Sequence, residues 1–305
     1  MSLTLSLRTP RKQSPSCGRK TPSRRTELAC GDLHNSLKAT VTVVASALFA
    51  ASLLRADTAI LVALPSEQSA LGREIKIVGQ PIDLPQHRVS IGYRKGEKLY
   101  VVRTRAGNLN SAMITQALLT RYKIDRVISI GVAGNLNDEW KVGDLFIASN
   151  VVNHQEGKET PGGFEPKKEP ESKSPNSAEY STKCAALQSN VLDAAQAILT
   201  NATAHAVRQG RLVSGDSFIA SSAKRKWLRE TFQADAVDMV SVGIARVCEA
   251  DGVPYVIVRA LSDNADESAS TAFASFVQNS KEPVTVPIVL ALVERLAAGP
   301  SVPSH

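Results

Sequence analysis

The sequence predicts an α/β domain built on a central, mainly parallel sheet, and three observations lead there. From residue 58 onward, short apolar runs alternate with stretches of helical spacing, as in repeated strand-helix units. Several of the apolar runs, such as "RVISIGVAG" (126 to 134), read as buried strands, as expected of a sheet covered by helices on both faces. The chain of 305 residues, 43% of them hydrophobic, is long enough to bury a sizeable core, and it shows no internal repeat. A single domain over residues 57 to 305 is expected.

Each element follows from its own pattern. "TAILVAL" (58 to 64) reads as a first strand and "SEQSALGREI" (66 to 75) as the helix after it. "HRVSIGYRKGEKLYVVRTRAG" (87 to 107) reads as a hairpin turning at Lys95-Gly96-Glu97. "NSAMITQALLTRY" (110 to 122) has helical spacing and leads into the buried strand at 126 to 134, and "VGDLFIASNVV" (142 to 152) is a further strand. Residues 153 to 180 mix Pro, Gly, Lys and Glu with few apolar side chains. A surface loop or lid roughly 28 residues long is expected there, and loops of that length tend to serve a site. A helix (181 to 200), a strand (203 to 214), a short helix (222 to 231), a helix (240 to 251), a strand (253 to 261) and a terminal helix (about 283 to 297) complete the reading.

The formal charge of +7 does not belong to the domain. The first 56 residues hold nine Lys/Arg and two Asp/Glu, which leaves 27 basic and 27 acidic side chains in residues 57 to 305. A neutral body gives nucleic acid no electrostatic footing. The first 56 residues have the layout of a targeting segment. A basic, Ser/Pro-rich stretch is followed by the apolar run "ATVTVVASALFAASLL" (39 to 54) and small residues suited to cleavage near Ala56. Export to the periplasm or outside the cell is expected, or a cytoplasmic protein if the true start lies later. Cys184 and Cys248, the cysteines of the domain, show no metal spacing and read as buried thiols rather than a pair. No metal or cofactor is proposed.

Four clusters stand at the ends of expected strands, where open α/β sheets place ligands. In "ALPSEQSAL", Glu67 lies in the first turn of a helix, where an acid either caps the helix or carries chemistry. In "SIGVAGNLNDEWKVGD" (129 to 144), Gly131 and Gly134 allow a tight turn or a close approach to a ligand, and the spacing matches neither dinucleotide nor Walker fingerprints. In "VSGDSFIAS" (213 to 221), Phe218 either stacks on a planar base, with Ile219 beside it, or joins the core. In "VIVRALSDNADESAS" (256 to 270), a buried strand ends in Arg259, Ser262 and Asp263. An acid emerging there has its pKa raised by desolvation and suits protonation of a leaving group, or else it caps a helix. A further acid, Asp238, interrupts the otherwise apolar "AVDMVSVGIARVC" (236 to 248).

Taken in order, "ALPSE", "GVAGNL", "KVGD", "SGDSFI", "AVDM" and "VRALSDNAD" resemble the purine nucleoside phosphorylase/uridine phosphorylase superfamily, and within it most nearly the methylthioadenosine/S-adenosylhomocysteine nucleosidases. The pairing of "SGDSFI" with "RALSDNAD" is the specific part. The resemblance implies a three-layer α/β/α fold with a mixed, mainly parallel sheet, and hydrolysis of an N-glycosidic bond with release of adenine. It implies a small-molecule nucleoside substrate and a homodimer or larger assembly. It assigns Glu67 to activating water, Asp263 to protonating the base, Phe218 to stacking and Ile219 to reading the base edge. Gly134 and Met239 are to line the ribose and base pocket, and Arg259 to stand near the water. Two departures fall on the sugar side: Val240 stands where the family has a glutamate for the ribose hydroxyls, and Val132 where it has Ser or Thr. Phosphorolysis, and a non-catalytic exported relative that binds nucleosides or purines, are the alternatives.

Overall fold

The computed structural model describes residues 56–84, 87–167, 177–199, 205–280 and 283–298, with side chains for all but 177–183. All but the last residue of the expected presequence lies outside them. The first strand, β1 (Thr58–Val62), is buried along its whole length, with Ile60 and Val62 facing one core and Ala59 and Leu61 the other. That period of two, with both faces covered, is what a continuous apolar run produces. α1 (Pro65–Glu74) follows, then the short β2 (Lys76–Ile77) and β3 (Ile82–Leu84). β4 (His87–Arg94) and β5 (Glu97–Arg103) form the expected hairpin. Its two-residue turn places Lys95 and Gly96 at φ of 50° and 86°, the conformation that matches strand twist.

The chain continues through α2 (Asn108–Arg121), β6 (Arg126–Asn135), β7 (Leu145–Asn153), the hairpin β8 (Gly157–Thr160) and β9 (Gly163–Pro166), and α3 (Ser177–Leu199). After these come β10 (Val207–Ser214), α4 (Ser222–Phe232), β11 (Ala236–Asp238), α5 (Ser241–Ala250), β12 (Tyr255–Asp263), α6 (Ala269–Asn279) and α7 (Thr285–Ala298). The main sheet runs β11-β10-β7-β12-β6-β1-β5-β4-β2, with β3 beside β4. β11 also pairs antiparallel with β6, so β6, β12, β7, β10 and β11 close into a ring. Hydrophobic residues of α1, α3 and α7 pack on one face and those of α2 and α5 on the other. This is the three-layer arrangement with a mixed, mainly parallel sheet.

Three expectations need correction. The segment 153 to 180 is not a plain loop, because 157–166 fold into the β8–β9 hairpin and α3 begins at Ser177. This polar stretch pairs because Lys158 meets Glu165 across the strands at 2.8 Å, and Phe164 packs on Trp227 of α4 with ring centroids 6.2 Å apart. Residues 168–176 lie outside the described set. The strand expected at 253 to 261 runs on to Asp263, so Asp263 ends a strand and caps no helix. Helix α6 was not anticipated, and it supplies part of the site. Cys184 and Cys248 are free, and Cys248 is buried.

Candidate active site

A pocket of about 140 Å³ opens where strand ends converge. Its walls come from Ala63 and Leu64 after β1, Val132 to Gly134 of β6, Ser217 to Ile219 after β10, Val237 to Val240 around the end of β11, and Ser262 and Asp263 of β12. The ring closure through β11 and β6 brings these ends together, since Val237 pairs with Gly134 and Gly134 with Asp263. Gly134 suits this crowding, because any side chain here would be tight. A Cβ there would lie 3.1 Å from an Asp263 carboxylate oxygen and 3.2 Å from Val237 and Ala265.

Asp263 is buried, with 2% of its surface exposed. One carboxylate oxygen accepts the Ser262 hydroxyl at 2.8 Å and the other the Ala265 amide at 2.9 Å. The second bond depends on Ala265 adopting φ of 53°, a left-handed conformation that costs an alanine about 1 to 2 kcal/mol and turns its N–H back on the acid. Among the described residues no cation pairs with Asp263. Desolvation therefore outweighs the two hydrogen bonds and raises its pKa.

Phe218 is 44% exposed and meets Phe273 of α6 edge-on, centroids 5.8 Å apart, whereas Ile219 is buried. An aromatic left this open at a pocket mouth offers a face for stacking. Val240 caps α5 without a side-chain hydrogen bond and turns an apolar surface to the pocket, beside Met239.

Two expected site residues stand behind the wall and do not line the pocket. Glu67 is 1% exposed; one oxygen accepts the amides of Ala63 at 3.2 Å and Leu64 at 3.0 Å, and the other accepts the Thr285 hydroxyl at 3.0 Å. It therefore reaches back to the helix entrance as a cap does, and Ala63 and Leu64, which it holds, form the pocket wall. Three of about four acceptor positions are used. Burial raises its pKa, against those hydrogen bonds and the nearby Arg259 guanidinium. Arg259 is fully buried and is spent on structure. It pairs with Asp238 at 2.9 Å and donates to the Ser129 carbonyl and hydroxyl at 3.1 and 3.0 Å and to the Ser241 hydroxyl at 2.8 Å. Asp238 in turn accepts the Val240 and Ser241 amides and the Ser241 hydroxyl, which fixes the start of α5.

Sequence reasoning did not anticipate Arg105, Ala106, Ser217 or Phe273 in the pocket wall. The apolar spacing of "ASTAFASFVQN" carried a signal for α6 and Phe273. Nothing in "RTRAG" foretold that Arg105 reaches the site. Among the described residues, no group of three or more His, Cys, Asp or Glu side chains is placed to hold a metal.

Fold and site define an enzyme of the phosphorylase superfamily. The family model matches residues 57–294, and the chain belongs to that superfamily. It is 30% identical over 192 residues to the aminodeoxyfutalosine nucleosidase of Helicobacter pylori strain J99, covering 62% of this chain and 77% of that protein. It is 32% identical over 190 residues to the 5'-methylthioadenosine/S-adenosylhomocysteine nucleosidase of Staphylococcus aureus strain MRSA252, covering 62% and 78%. The structure of the 5'-methylthioadenosine/S-adenosylhomocysteine nucleosidase of Neisseria meningitidis, in complex with methylthio-immucillin-A, superimposes with a TM-score of 0.66 at 26% identity, over 78% of this chain and 99% of that one. These relatives are nucleosidases, and the chain is a glycosidic hydrolase of that broad kind.

Proposed function

We propose that the enzyme hydrolyses the N-glycosidic bond of adenine nucleosides such as methylthioadenosine or S-adenosylhomocysteine, releasing adenine. The observation that carries this reading is Asp263: a buried carboxyl with no counter-cation among the described residues, its pKa raised by burial, in the same pocket wall as an exposed aromatic ring. Such a group keeps its proton to higher pH than an ordinary carboxyl and delivers it where negative charge develops.

In the proposed step the bond between C1′ and the purine nitrogen breaks, and its electron pair goes to the base. The Asp263 proton passes to N7 of the base, and the base stacks on Phe218. Water adds to C1′ and gives up a proton to Glu67, which sits behind the Ala63–Leu64 wall and meets the water where that wall parts. The Ala63–Leu64 wall fixes where Glu67 sits, and the apolar lining raises the worth of each charge interaction during bond cleavage. Activity therefore falls on the alkaline side as Asp263 loses its proton.

Incubation of the purified enzyme with methylthioadenosine and with S-adenosylhomocysteine, with and without phosphate, tests the reading. Free adenine and a free sugar without phosphate dependence are expected. Absence of adenine under both conditions overturns it.

A further inference from the structure

Phe218 is 44% exposed, and its one ring neighbour among the described residues is Phe273, met edge-on. Where the ring lies is therefore set by the backbone that carries it. Among the described residues, the backbone of residues 217 to 220 has no hydrogen-bond partner. The segment is gripped just before them, at Asp216. The Asp216 amide donates to Gln155 Oε1 at 2.7 Å, and Gln155 Nε2 donates to the Ser217 hydroxyl oxygen at 2.9 Å. A backbone N–H can only donate, so Oε1 faces Asp216 and the NH₂ group faces Ser217. From the other side, the Asp216 carboxylate accepts the Asn108 amide of α2 at 2.5 Å.

Sheet pairing brings Gln155 to this place. β7 runs beside β10 until Asn153 meets Ser214, and the His154 amide donates to the Ser214 carbonyl at 3.3 Å. Asn153 Oδ1 then accepts the Gln155 amide at 2.9 Å, which turns the chain at the end of the strand. Gly215 lets this turn lie against the pocket loop. A Cβ there would fall 2.3 Å from His154 Nε2 and 2.8 Å from Gln155 Cδ. On the far side of Gln155, Glu156 pairs with Lys167 and, at 3.3 Å, with Arg246 of α5, which closes the mouth of the β8–β9 hairpin. Gln155 thus bridges the hairpin and the loop that carries Phe218. It is exposed, so its side chain is no part of the core.

Such a clamp acts on binding through order. A loop fixed before the ligand arrives spares the complex the entropy of fixing it afterwards. A base stacked on Phe218 is stacked in the ground state and in the transition state alike, so losing the clamp weakens both equally. That kind of loss raises KM and leaves kcat in place.

We propose that Gln155 is a positioning residue for the reaction: by holding Asp216 and Ser217 it sets Phe218 for stacking, and so ties the β8–β9 hairpin to the affinity of the site for its base. The proposal rests on the nucleosidase reading for the base at Phe218. Adenine release from methylthioadenosine is to be measured for wild type, Gln155→Ala, Gln155→Glu, Phe218→Ala and the double variant Gln155→Ala/Phe218→Ala. Gln155→Ala should raise KM about tenfold, the worth of two hydrogen bonds, with kcat within about twofold of wild type. Gln155→Glu still accepts the Asp216 amide and can take the Ser217 hydroxyl as donor, so its KM should return to within about threefold of wild type. In the Phe218→Ala background, Gln155→Ala should change KM by less than about twofold, because the bonds act through a ring that is no longer there.

A KM for Gln155→Ala within about twofold of wild type, a fall in kcat at unchanged KM, or a full effect that persists without the Phe218 ring overturns the proposal. If no adenine nucleoside is turned over, the nucleosidase reading fails instead, and amide hydrogen exchange of the ligand-free protein decides the clamp. Exchange across residues 215 to 221 about tenfold faster in Gln155→Ala, and restored in Gln155→Glu, upholds it. Exchange unchanged in Gln155→Ala overturns it.

Discussion

Asp238 and Asp263 are both buried aspartates at the ends of strands, both in the wall of the same pocket, and their electrostatics are opposite. Asp238 meets the Arg259 guanidinium at 2.9 Å and takes three further donors from Val240 and Ser241. Asp263 has one hydroxyl and one amide, and burial raises its pKa. An acid that is fully compensated holds a helix start in place; an acid left without a cation keeps a proton to give. The residue type is the same, and the difference is Arg259, four residues before Asp263 on β12, whose guanidinium pairs with Asp238 and not with Asp263.

The largest way to break this contrast is to remove the proton from Asp263. Asp263→Asn keeps both hydrogen-bonding oxygen and shape, and is expected to lower adenine release about 10²- to 10⁴-fold, the usual worth of a positioned general acid. A rate within fivefold of wild type would show that Asp263 does not donate the proton. The other half of the contrast is attacked by Arg259→Met, which leaves Asp238 buried and uncompensated. It should cost about 3 to 5 kcal/mol in denaturant unfolding. A loss below about 1 kcal/mol would mean that the pair is not what fixes the start of α5.

Val240 lies two residues after Asp238 and offers the pocket an apolar side chain. Val240→Glu should raise turnover of ribonucleosides by about tenfold or more, if the new carboxylate gains charge-assisted bonds to their hydroxyls. An unchanged rate would mean that the site uses the sugar differently. A smaller effect concerns stability. With its pKa raised by burial, folded Asp263 keeps a proton that the unfolded chain has already lost, so stability falls as pH rises through that window. Asp263→Asn removes the loss, and its melting temperature should gain on wild type as pH rises above the ordinary aspartate value of 3.8. A gain independent of pH would contradict the origin given.

His154 sharpens the comparison from the cationic side. It is buried with both ring nitrogens unpartnered, and burial, with Lys224 second, pushes its pKa down to about 4. As pH falls from about 6.5 toward 4, the unfolded chain gains a proton that the native state refuses, and stability is lost. His154→Leu should flatten this part of the stability profile, measured by thermal melts across the same range. A profile as steep as that of wild type would assign the acid sensitivity to other groups.

The linear chain carries much of this. Continuous apolar runs such as "TAILV" and "RVISIGVAG" can only be strands covered on both sides, because leaving either face in water would expose too much apolar surface. Strand-end positions of Glu67, Gly134, Phe218 and Asp263 follow from the same pattern, since period and turn residues are local properties. The chemistry that separates one acid from another is not local. That Arg259 pairs with Asp238, that β11 folds back on β6 to bring Val237 against Gly134, that Glu67 stands behind Ala63 and Leu64, and that Arg105 reaches the pocket all depend on which strands become neighbours. Strand spacing and register set those meetings, and a carboxyl acquires its proton affinity from what the fold puts beside it.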